Sequence, residues 1–419
     1  MLKIILKKGK GESLKRFHPW VFSGAVLKVQ GEPKEGDVVE VYSHDGEFMG
    51  CGHYQIGSIA VRILSFVKRK IDAEFWEEML GNAYRERCAL GLTSSLPDYS
   101  ASHTTAYRLV HGEGDNLPGL IIDIYGNVAV MQAHSAGMFR AKDDISKALQ
   151  KIYGNNLVAV YDKSSGTAPF KAGLDLCDGY LYKSADFETG ESVESGENVV
   201  LENGNRFLVN WLDGQKTGFF LDQRDNRELV KKYSKGKDVL NLFCYTGGFS
   251  IYALSGGAKH VDSVDSSKRA IELVRRNVLL NGFTDSQMPL ENNEDAVHEA
   301  FCEDAIEYMR KCESGKYNLM VVDPPAFAKH RGALDNALRA YKKLNALAIE
   351  KVAPGGIIFT YSCSQVVDKH AFALAVFSAA AQTGRKVRIL HRLTQPADHP
   401  VNIYHPEGEY LKGLVLYVE

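Results

Sequence analysis

The chain has 419 residues, of which 45% are hydrophobic and 24% are charged, a balance typical of folded globular proteins. Lys and Arg number 50 against 52 Asp and Glu, which excludes a protein that coats itself with nucleic acid through a global basic field. The chain is longer than one hydrophobic core usually fills, so we predict two or three domains.

Neither a membrane span nor a disulfide framework is expected. No apolar run approaches the roughly 18 residues of a spanning helix, and the KKGK that follows MLKIIL leaves no room for a signal peptide. The seven cysteines show no C-x-x-C spacing, which argues against a zinc site as well as against disulfides. We therefore expect a cytoplasmic protein with reduced thiols, no metal site and no membrane partner.

Residues 1–70 are predicted to form a small β-barrel or sandwich. Short segments such as 36–42 and 59–64 are rich in β-branched residues and are separated by glycine turns. Trp20 and Phe22 alternate along a strand, which predicts that both rings lie in the core. Residues 1–35 carry eight Lys and Arg against three Glu. A local basic strip of this kind attracts phosphate, although an ordinary solvated surface has the same composition.

Residues 71–185 are predicted to form an α+β middle domain. Phe75, Trp76 and Leu80 recur at helical spacing within residues 72–92, and a second helix is expected over 138–152. The predicted strands of this domain are 106–110, 120–125, 128–134 and 157–161. Strands and helices mixed in this order are typical of an α+β layer structure.

Residues 186–419 are predicted to form a doubly wound α/β domain with a parallel sheet. From about residue 205, apolar strands alternate with helices, one of them over 266–281 with Ser266 as its N-cap and Gly282 as its stop. The predicted strands are 238–243, 260–264, 318–322 and 356–361, followed by a hairpin of 387–390 and 414–418 at a sheet edge. Ligands of such sheets bind at the carboxyl ends of the strands.

The ends of the first two strands indicate a nucleotide site. Gly247 and its neighbour allow a tight turn into a helix, and Asp265 ends the next strand, where a carboxylate grips ribose hydroxyls. Tight packing of a strand on a helix also requires such glycines. Asp304, after the third strand, is a candidate acceptor for an adenine amine and equally a candidate helix N-cap.

The later strand ends carry groups suited to a nucleobase. Pro324 forces Asp323 into an extended conformation and, with the next proline, makes a stiff loop whose carbonyl groups can hold an exocyclic amine. Cys363 follows the fifth strand, at the same sheet edge as Asp323. A lone cysteine is usually a small buried hydrophobe, so its position is what makes it a candidate.

Several motifs together resemble the S-adenosylmethionine-dependent large-subunit ribosomal RNA cytosine-5 methyltransferase family with an N-terminal PUA domain. The resemblance spans nearly the whole chain. The matching segments are 18–25 in the PUA domain, 112–119 with 122–123 in the middle domain, and 216–224, 241–248, 323–325, 362–364 and 398–400 in the catalytic domain. Motifs of this number in this order are specific.

The resemblance implies a Rossmann-like methyltransferase domain and transfer of a methyl group to cytosine C5 of 23S ribosomal RNA. Cys363 would be the nucleophile that adds to C6, because C5 alone is too poor a nucleophile. Asp323 would hold N3 and N4 of the base. The residues implied to bind S-adenosyl-L-methionine are Gln223, Arg224, Asn241, Phe243, Tyr245, Thr246, Gly247, Asp265, Asp304, Asp323 and Pro324. Ala326 stands where many related enzymes carry a second cysteine, so the group that resolves the adduct is open.

Two other functions stay open at this point. One is methylation of an exocyclic amine of adenine or guanine, with Cys363 only packing. The other is a non-catalytic RNA-binding protein. Ribosomal RNA is the expected partner in each case, with Lys8, Lys10 and Arg16 as the candidates for phosphate contact, and whether the chain forms a homodimer is left open.

Overall fold

The computed structural model describes residues 2–93, 103–169, 172–188, 191–287, 296–328 and 330–419, which form two compact units that interleave along the sequence. The first unit contains Met1–Val200, Val209–Leu221 and Ala397–Gly408, and the second contains Leu201–Leu208, Asp222–Pro396 and Glu409–Glu419. Segment 398–400, which carries part of the resemblance to the catalytic domain, thus falls in the first unit. The three predicted domain ranges stay a prediction.

The chain begins with a six-stranded sheet, as predicted for residues 1–70. Its elements are β1 (Lys3–Leu6), α1 (Glu12–Lys15), β2 (Trp20–Phe22), β3 (Val26–Gln30), β4 (Val38–Tyr42), β5 (Phe48–Tyr54) and β6 (Ile59–Ser65). The strand order is β2-β6-β5-β4-β1-β3, with β1 and β4 parallel and the other pairs antiparallel. Alternate residues such as Ile4, Leu6, Val39 and Val41 are buried because successive side chains of a strand point to opposite faces.

Strand β2 turns its aromatic residues away from this core. Val21 is buried, whereas Phe22 exposes 48% of its surface and Trp20 is half-buried. The indole N–H of Trp20 donates a hydrogen bond to Glu113 Oε1 at 2.9 Å. The prediction that both rings lie in the core is therefore wrong for Phe22. A three-residue strand has one inward position, and the register to β6 shifts between Val21 and Phe22.

The rest of the first unit holds a five-stranded sheet, in agreement with the predicted α+β layer. Its elements are α2 (Ala73–Ala89), β7 (Ala106–His111), β8 (Leu120–Tyr125), β9 (Val128–Ala133), α3 (Ala136–Arg140), α4 (Lys142–Tyr153), β10 (Ala159–Asp162), β11 (Gly179–Lys183), α5 (Ala185–Glu188) and α6 (Glu191–Ser195). The strand order is β11-β10-β9-β8-β7. Asp72 caps α2 by accepting the N–H of Phe75, and Trp76 and Leu80 are buried.

The second unit is built on a seven-stranded sheet. After β12 (Glu197–Glu202) and β13 (Asn205–Asn210), which form a separate two-stranded sheet, come α7 (Arg224–Tyr233), β14 (Asp238–Leu242), α8 (Gly248–Ser255), β15 (His260–Asp265), α9 (Lys268–Leu280), β16 (His298–Cys302), α10 (Ala305–Lys311), β17 (Leu319–Val322), α11 (Leu334–Lys351), β18 (Gly356–Ser362), α12 (Lys369–Thr383), β19 (Val387–Leu393) and β20 (Lys412–Val418). The order is β16-β15-β14-β17-β18-β20-β19.

This sheet has the predicted doubly wound character. Strands β14 to β18 pair in parallel, while β20 is antiparallel to both of its neighbours. Strand β17 is buried and apolar along its whole length, as is typical of parallel strands covered on both faces, whereas β15 also buries Asp262 and Ser263. The predicted terminal hairpin is present, with β19 at the edge and β20 between β18 and β19. The carboxyl ends of β14 to β18 therefore share one edge.

Helix α9 differs from its prediction by one residue at its start. Its N-cap is Ser267, not Ser266, and the Ser267 hydroxyl accepts the N–H of Ala270. Adjacent serines offer the same capping group, so the sequence alone does not separate them. Gly282 follows the helix with a φ of +77°, as predicted for a stop residue. Within the described ranges, no helix has the length and apolar character needed to cross a bilayer.

Candidate functional site

The loop after β14 has an unusual backbone. Phe243 and Tyr245 adopt positive φ angles of 57° and 47°, and Gly247 has a φ of 79°. Each non-glycine residue in this region costs about 1–3 kcal/mol, so the surrounding structure must hold it there. Two backbone hydrogen bonds do so, from Cys244 N to Val264 O at 3.1 Å and from Gly247 N to Cys244 O at 2.8 Å. Strain of this kind clusters at ligand sites.

Gly247 packs closely against helix α9. A Cβ on this residue would lie 3.1 Å from Val274 Cγ1 on α9. The sequence offered two reasons for a glycine here, a nucleotide site and tight packing on a helix. The close contact with Val274 shows that the second reason applies at Gly247. Thr246 is buried beside it, and its carbonyl oxygen accepts a hydrogen bond from Asn277 Nδ2 at 2.9 Å. Thr246 and Gly247 therefore hold the loop against helix α9.

Asp265 braces this loop. It is the last residue of β15 and is half-buried. Its Oδ2 accepts the backbone N–H of Tyr245 at 3.0 Å, and its Oδ1 accepts that of Ser267 at 2.9 Å. A carboxylate oxygen can accept more than one hydrogen bond, so both oxygens keep capacity for hydroxyl donors. The geometry fits the expected grip on a ribose.

Asn241 lies under the loop as a buried amide with an open acceptor. It is 1% exposed, and its Nδ2 donates to Ser250 Oγ at 2.8 Å. Its Oδ1 has no hydrogen-bond partner among the described residues. A buried polar atom without a partner costs about 1–3 kcal/mol, which a ligand donor would recover. The expected position of Asn241 at the cofactor site fits this orphaned oxygen.

Asp304 caps α10 and remains exposed. Its Oδ1 accepts the N–H groups of Ile306 and Glu307 at 2.9 and 3.0 Å. Asp304 is therefore the N-cap of α10, which is one of the two roles that the sequence suggested for it. Because one oxygen makes both bonds, Oδ2 is left to accept from an amine, and the two roles remain compatible.

Asp323 stands directly after β17 in a half-buried position. Gln223 Nε2 donates to its Oδ2 at 2.9 Å, while Gln223 Oε1 accepts from Asn226 Nδ2 at 2.6 Å. Loss of hydration and then the charge of Asp222 raise the pKa of Asp323 to about 7. At neutral pH this carboxyl group can therefore donate or accept a hydrogen bond at the edge of a base.

Cys363 follows β18, next to the loop of Asp323. Its Sγ lies 4.0 Å from the carbonyl oxygen of Pro324. Burial, and then the charges of Asp323 and Asp222, raise the pKa of the Cys363 thiol to about 12. The structure thus brings the predicted nucleophile and the predicted base-holding carboxylate together. It also places them in surroundings that disfavour a thiolate unless a cation compensates.

Two ionisable residues of this cluster were missed by the sequence analysis. Asp222 precedes Gln223, accepts a hydrogen bond from Tyr410 at 2.7 Å, and acts electrostatically on both Asp323 and Cys363. Lys412 is a buried lysine whose positive charge lowers the thiol pKa. Asp222 could have been found because it lies within the 216–224 motif. Lys412 gave no local signal.

Arg224 lies close to Glu202. It is buried, with its Nε 3.6 Å from Glu202 Oε2. Arg227 holds the same carboxylate through two hydrogen bonds of 2.8 and 2.7 Å, and the Tyr252 hydroxyl donates to it at 3.0 Å. Gln223 and Arg224 are adjacent residues that the resemblance implies for cofactor binding, and of these two it is Gln223 that donates a hydrogen bond to Asp323. Phe243 is half-buried and packs against the core of the sheet.

Comparisons with known proteins identify the families of two parts of the chain. The family profile of the PUA-like domain matches residues 4–66, and that of the S-adenosylmethionine-dependent methyltransferase matches residues 166–410. Among solved structures, SMU.776, assigned as a methyltransferase and complexed with SAH, covers 100% of both chains at 24% identity with a TM-score of 0.80. That likeness concerns the fold. The expected fold class and the S-adenosyl-L-methionine cofactor are confirmed by these matches.

Curated relatives match over the whole length. The chain is 41% identical over 416 residues to ribosomal RNA large subunit methyltransferase I of Aeromonas hydrophila, covering 99% of this chain and 98% of that protein. It is 38% identical over 420 residues to the protein of the same name from Pseudoalteromonas atlantica, covering 99% of each.

Proposed function

The chain belongs to the S-adenosylmethionine-dependent large-subunit ribosomal RNA methyltransferases, and from this premise we propose that it methylates C5 of a cytosine in 23S ribosomal RNA through a covalent adduct of Cys363. The observation that carries the proposal is the proximity of Cys363 to the loop that begins at Asp323. A thiol and a carboxyl group side by side are the two groups that activation of a pyrimidine at C6 requires.

At the target base, Cys363 would act as the nucleophile and Asp323 would bind the N3 edge. The thiolate of Cys363 adds to C6, so a sulfur–carbon bond forms, the C5–C6 π bond breaks, and its electrons move to C5, which takes the methyl group. A base then removes the C5 proton, the C5–C6 double bond re-forms, and the thiolate leaves C6. Asp323, with a pKa near 7, holds N3 and stabilises the negative charge that addition places on that side of the ring. The target nucleotide must leave its stack to reach the thiol.

The cofactor, when bound, supplies an electrophilic methyl group. Asp265 would hold its ribose, Asn241 Oδ1 would accept a donor, and Asp304 Oδ2 would accept the adenine amine. The strained backbone of Phe243 and Tyr245 presents the loop to the ligand, and Pro324 and Gln223 would line the side facing Asp323. The role of each remains part of the proposal.

One observation favours the second candidate function, methylation of an exocyclic amine. The Cys363 thiol has its pKa raised to about 12, and a neutral thiol is not a nucleophile. The carbonyl groups of the Asp323 loop would then hold the amine, and Cys363 would only pack. The two functions differ in whether Cys363 becomes covalently bonded to RNA.

RNA carrying 5-fluorocytosine separates the two functions. Fluorine at C5 blocks proton removal, so under our proposal incubation with the cofactor traps a protein–RNA adduct that survives denaturing electrophoresis. Cys363→Ala should abolish both the adduct and turnover, whereas Cys302→Ala, which removes an exposed cysteine at the end of β16, should retain both. Undiminished turnover of Cys363→Ala would establish the amine reaction instead. Mass-spectrometric mapping of the ribosomal RNA then identifies the modified nucleotide.

The N-terminal sheet offers the surface for RNA. Lys8, Lys10 and Arg16 are exposed in the turn after β1 and in the segment after α1. Phe22 exposes 48% of its surface, which makes it available for stacking on an unpaired base. Phosphate contact and stacking together bind single-stranded RNA.

A further inference from the structure

Lys412 is a buried lysine that is held by carbonyl groups. It is 4% exposed, and its Nζ donates hydrogen bonds to the carbonyl oxygens of Ser364 and Tyr410, both at 2.6 Å. Among the described residues, no Asp or Glu forms an ion pair with it. Burying an ammonium group away from a counter-charge is expensive, so an arrangement of this kind usually serves a site.

Lys412 lies next to the two residues that flank Cys363 in the sequence. It begins β20, where its Cα is the register partner of Ser362, and its Nζ binds the carbonyl of Ser364. Lys412 therefore contacts the residues on both sides of the cysteine. The other ionisable groups near the thiol are Asp323 after β17, Asp222 before α7 and the hydroxyl of Tyr341 on α11.

The charges around Cys363 are of opposite sign. Asp323 and Asp222 oppose ionisation of the thiol, and Lys412 favours it. In turn, Cys363, Glu409 and Asp368 favour the charged form of Lys412, while burial opposes it and brings its pKa to about 8. Glu409 is paired with Lys369, and Asp368 caps α12, so neither is devoted to Lys412.

We propose that Lys412 is a positioning residue for Cys363: its ammonium group stabilises the thiolate, and its hydrogen bond to the Ser364 carbonyl group fixes the turn that carries the cysteine. The proposal rests on the assigned role of Cys363 as the nucleophile. When the thiol ionises, the S–H bond breaks, the proton passes to water, and both electrons stay on sulfur, where they face the ammonium charge. The same pairing receives the thiolate again when it leaves C6.

Site-resolved alkylation of the full-length protein tests this. Iodoacetamide is added across pH 6–10, and mass spectrometry follows the peptide that contains Cys363. Below pH 8, where the Lys412 ammonium group of the wild type is charged, Lys412→Met should slow alkylation of Cys363 about tenfold, because the thiolate loses its counter-charge. The variant should then need a pH about one unit higher to reach the same alkylation rate. Lys412→Arg keeps the charge and should stay near the wild type. Asp222→Asn should shift the profile in the opposite direction.

The controls separate electrostatics from structure. Lys343→Met removes an exposed lysine of α11 and should leave the profile unchanged. If Lys412 had only a structural role, Lys412→Met would lower stability and turnover but would leave the pH profile of Cys363 alkylation unchanged. That result would overturn the proposal. Equal shifts in Lys412→Arg and Lys412→Met would do the same. If 5-fluorocytosine RNA fails to trap the enzyme while the profile still shifts, the cytosine reaction falls and the pairing of Lys412 with Cys363 stands.

Discussion

Three acidic groups share one half-buried place at the end of the sheet. Asp222 opposes ionisation of Asp323, both carboxyl groups oppose ionisation of the Cys363 thiol, and among the described residues Lys412 provides the buried positive charge that favours it. Because the charge of Asp323 raises the pKa of the Cys363 thiol, these two groups do not titrate independently. Burial, and then the charge of Asp222, raise the pKa of Asp323 to about 7, so this carboxyl group is partly protonated at neutral pH.

Asp323→Asn should change the pH dependence of stability. The folded-state pKa of Asp323 is raised to about 7 from its ordinary value of 3.8, so its contribution to stability is complete below pH 4 and is lost as the pH rises through 7. Relative to the variant, the wild type should therefore lose about 2 kcal/mol of unfolding free energy between pH 5 and pH 8.5. Urea unfolding at both pH values measures this. Asp335→Asn, at an exposed site, is the control, and a pH-independent difference would contradict the expectation.

At the scale of elements, the loop between β14 and α8 is held from two sides. Asp265 binds its backbone from β15, and Val274 of α9 fills the space beside Gly247. The strained residues Phe243 and Tyr245 persist because these neighbours determine the path of the chain. The path of this loop is thus fixed by its contacts with β15 and α9.

Gly247→Ala should damage this loop more than a matched glycine elsewhere. The variant combines a φ of 79° with a Cβ 3.1 Å from Val274, so we expect a loss of about 2 kcal/mol in unfolding free energy and weaker binding of S-adenosyl-L-methionine. Gly282→Ala has a similar φ of 77° but no atom within 4 Å, and should cost about 1 kcal/mol with unchanged affinity. Urea unfolding and calorimetric titration measure the two effects. Equal behaviour of both variants would show that the packing against Val274 is unimportant.

The sequence predicted the elements that have a strong local pattern. The apolar strands of the second unit and the placement of Asp265, Asp323 and Cys363 after them follow from periodicity and from the rule for parallel sheets. The inward face of β2 did not follow, because three residues carry almost no periodic signal. Lys412 was missed for another reason: its partner Ser364 lies far away in sequence, and strand pairing alone brings them together.

At the scale of the whole molecule, the net charge is close to zero, although residues 1–35 are locally basic. Replacing Lys8, Lys10 and Arg16 by Gln should reduce the slope of log affinity against log salt by about one unit for each phosphate group that the protein no longer neutralises. Filter binding of ribosomal RNA fragments over a range of salt measures the slope. Replacing Lys235, Lys259 and Lys343, exposed cations of the second unit, is the control. An unaltered slope in the first variant would move the RNA surface elsewhere.

The interleaving of the two units has a consequence for synthesis. The chain leaves the second unit at Ala397, returns at Glu409, and only then adds β20 between β18 and β19. On the ribosome, the edge strand β19 is made before its neighbour and must wait for it. Because Lys412 belongs to that late strand, its hydrogen bond to the carbonyl group of Ser364, next to Cys363, forms only after β20 has joined the sheet.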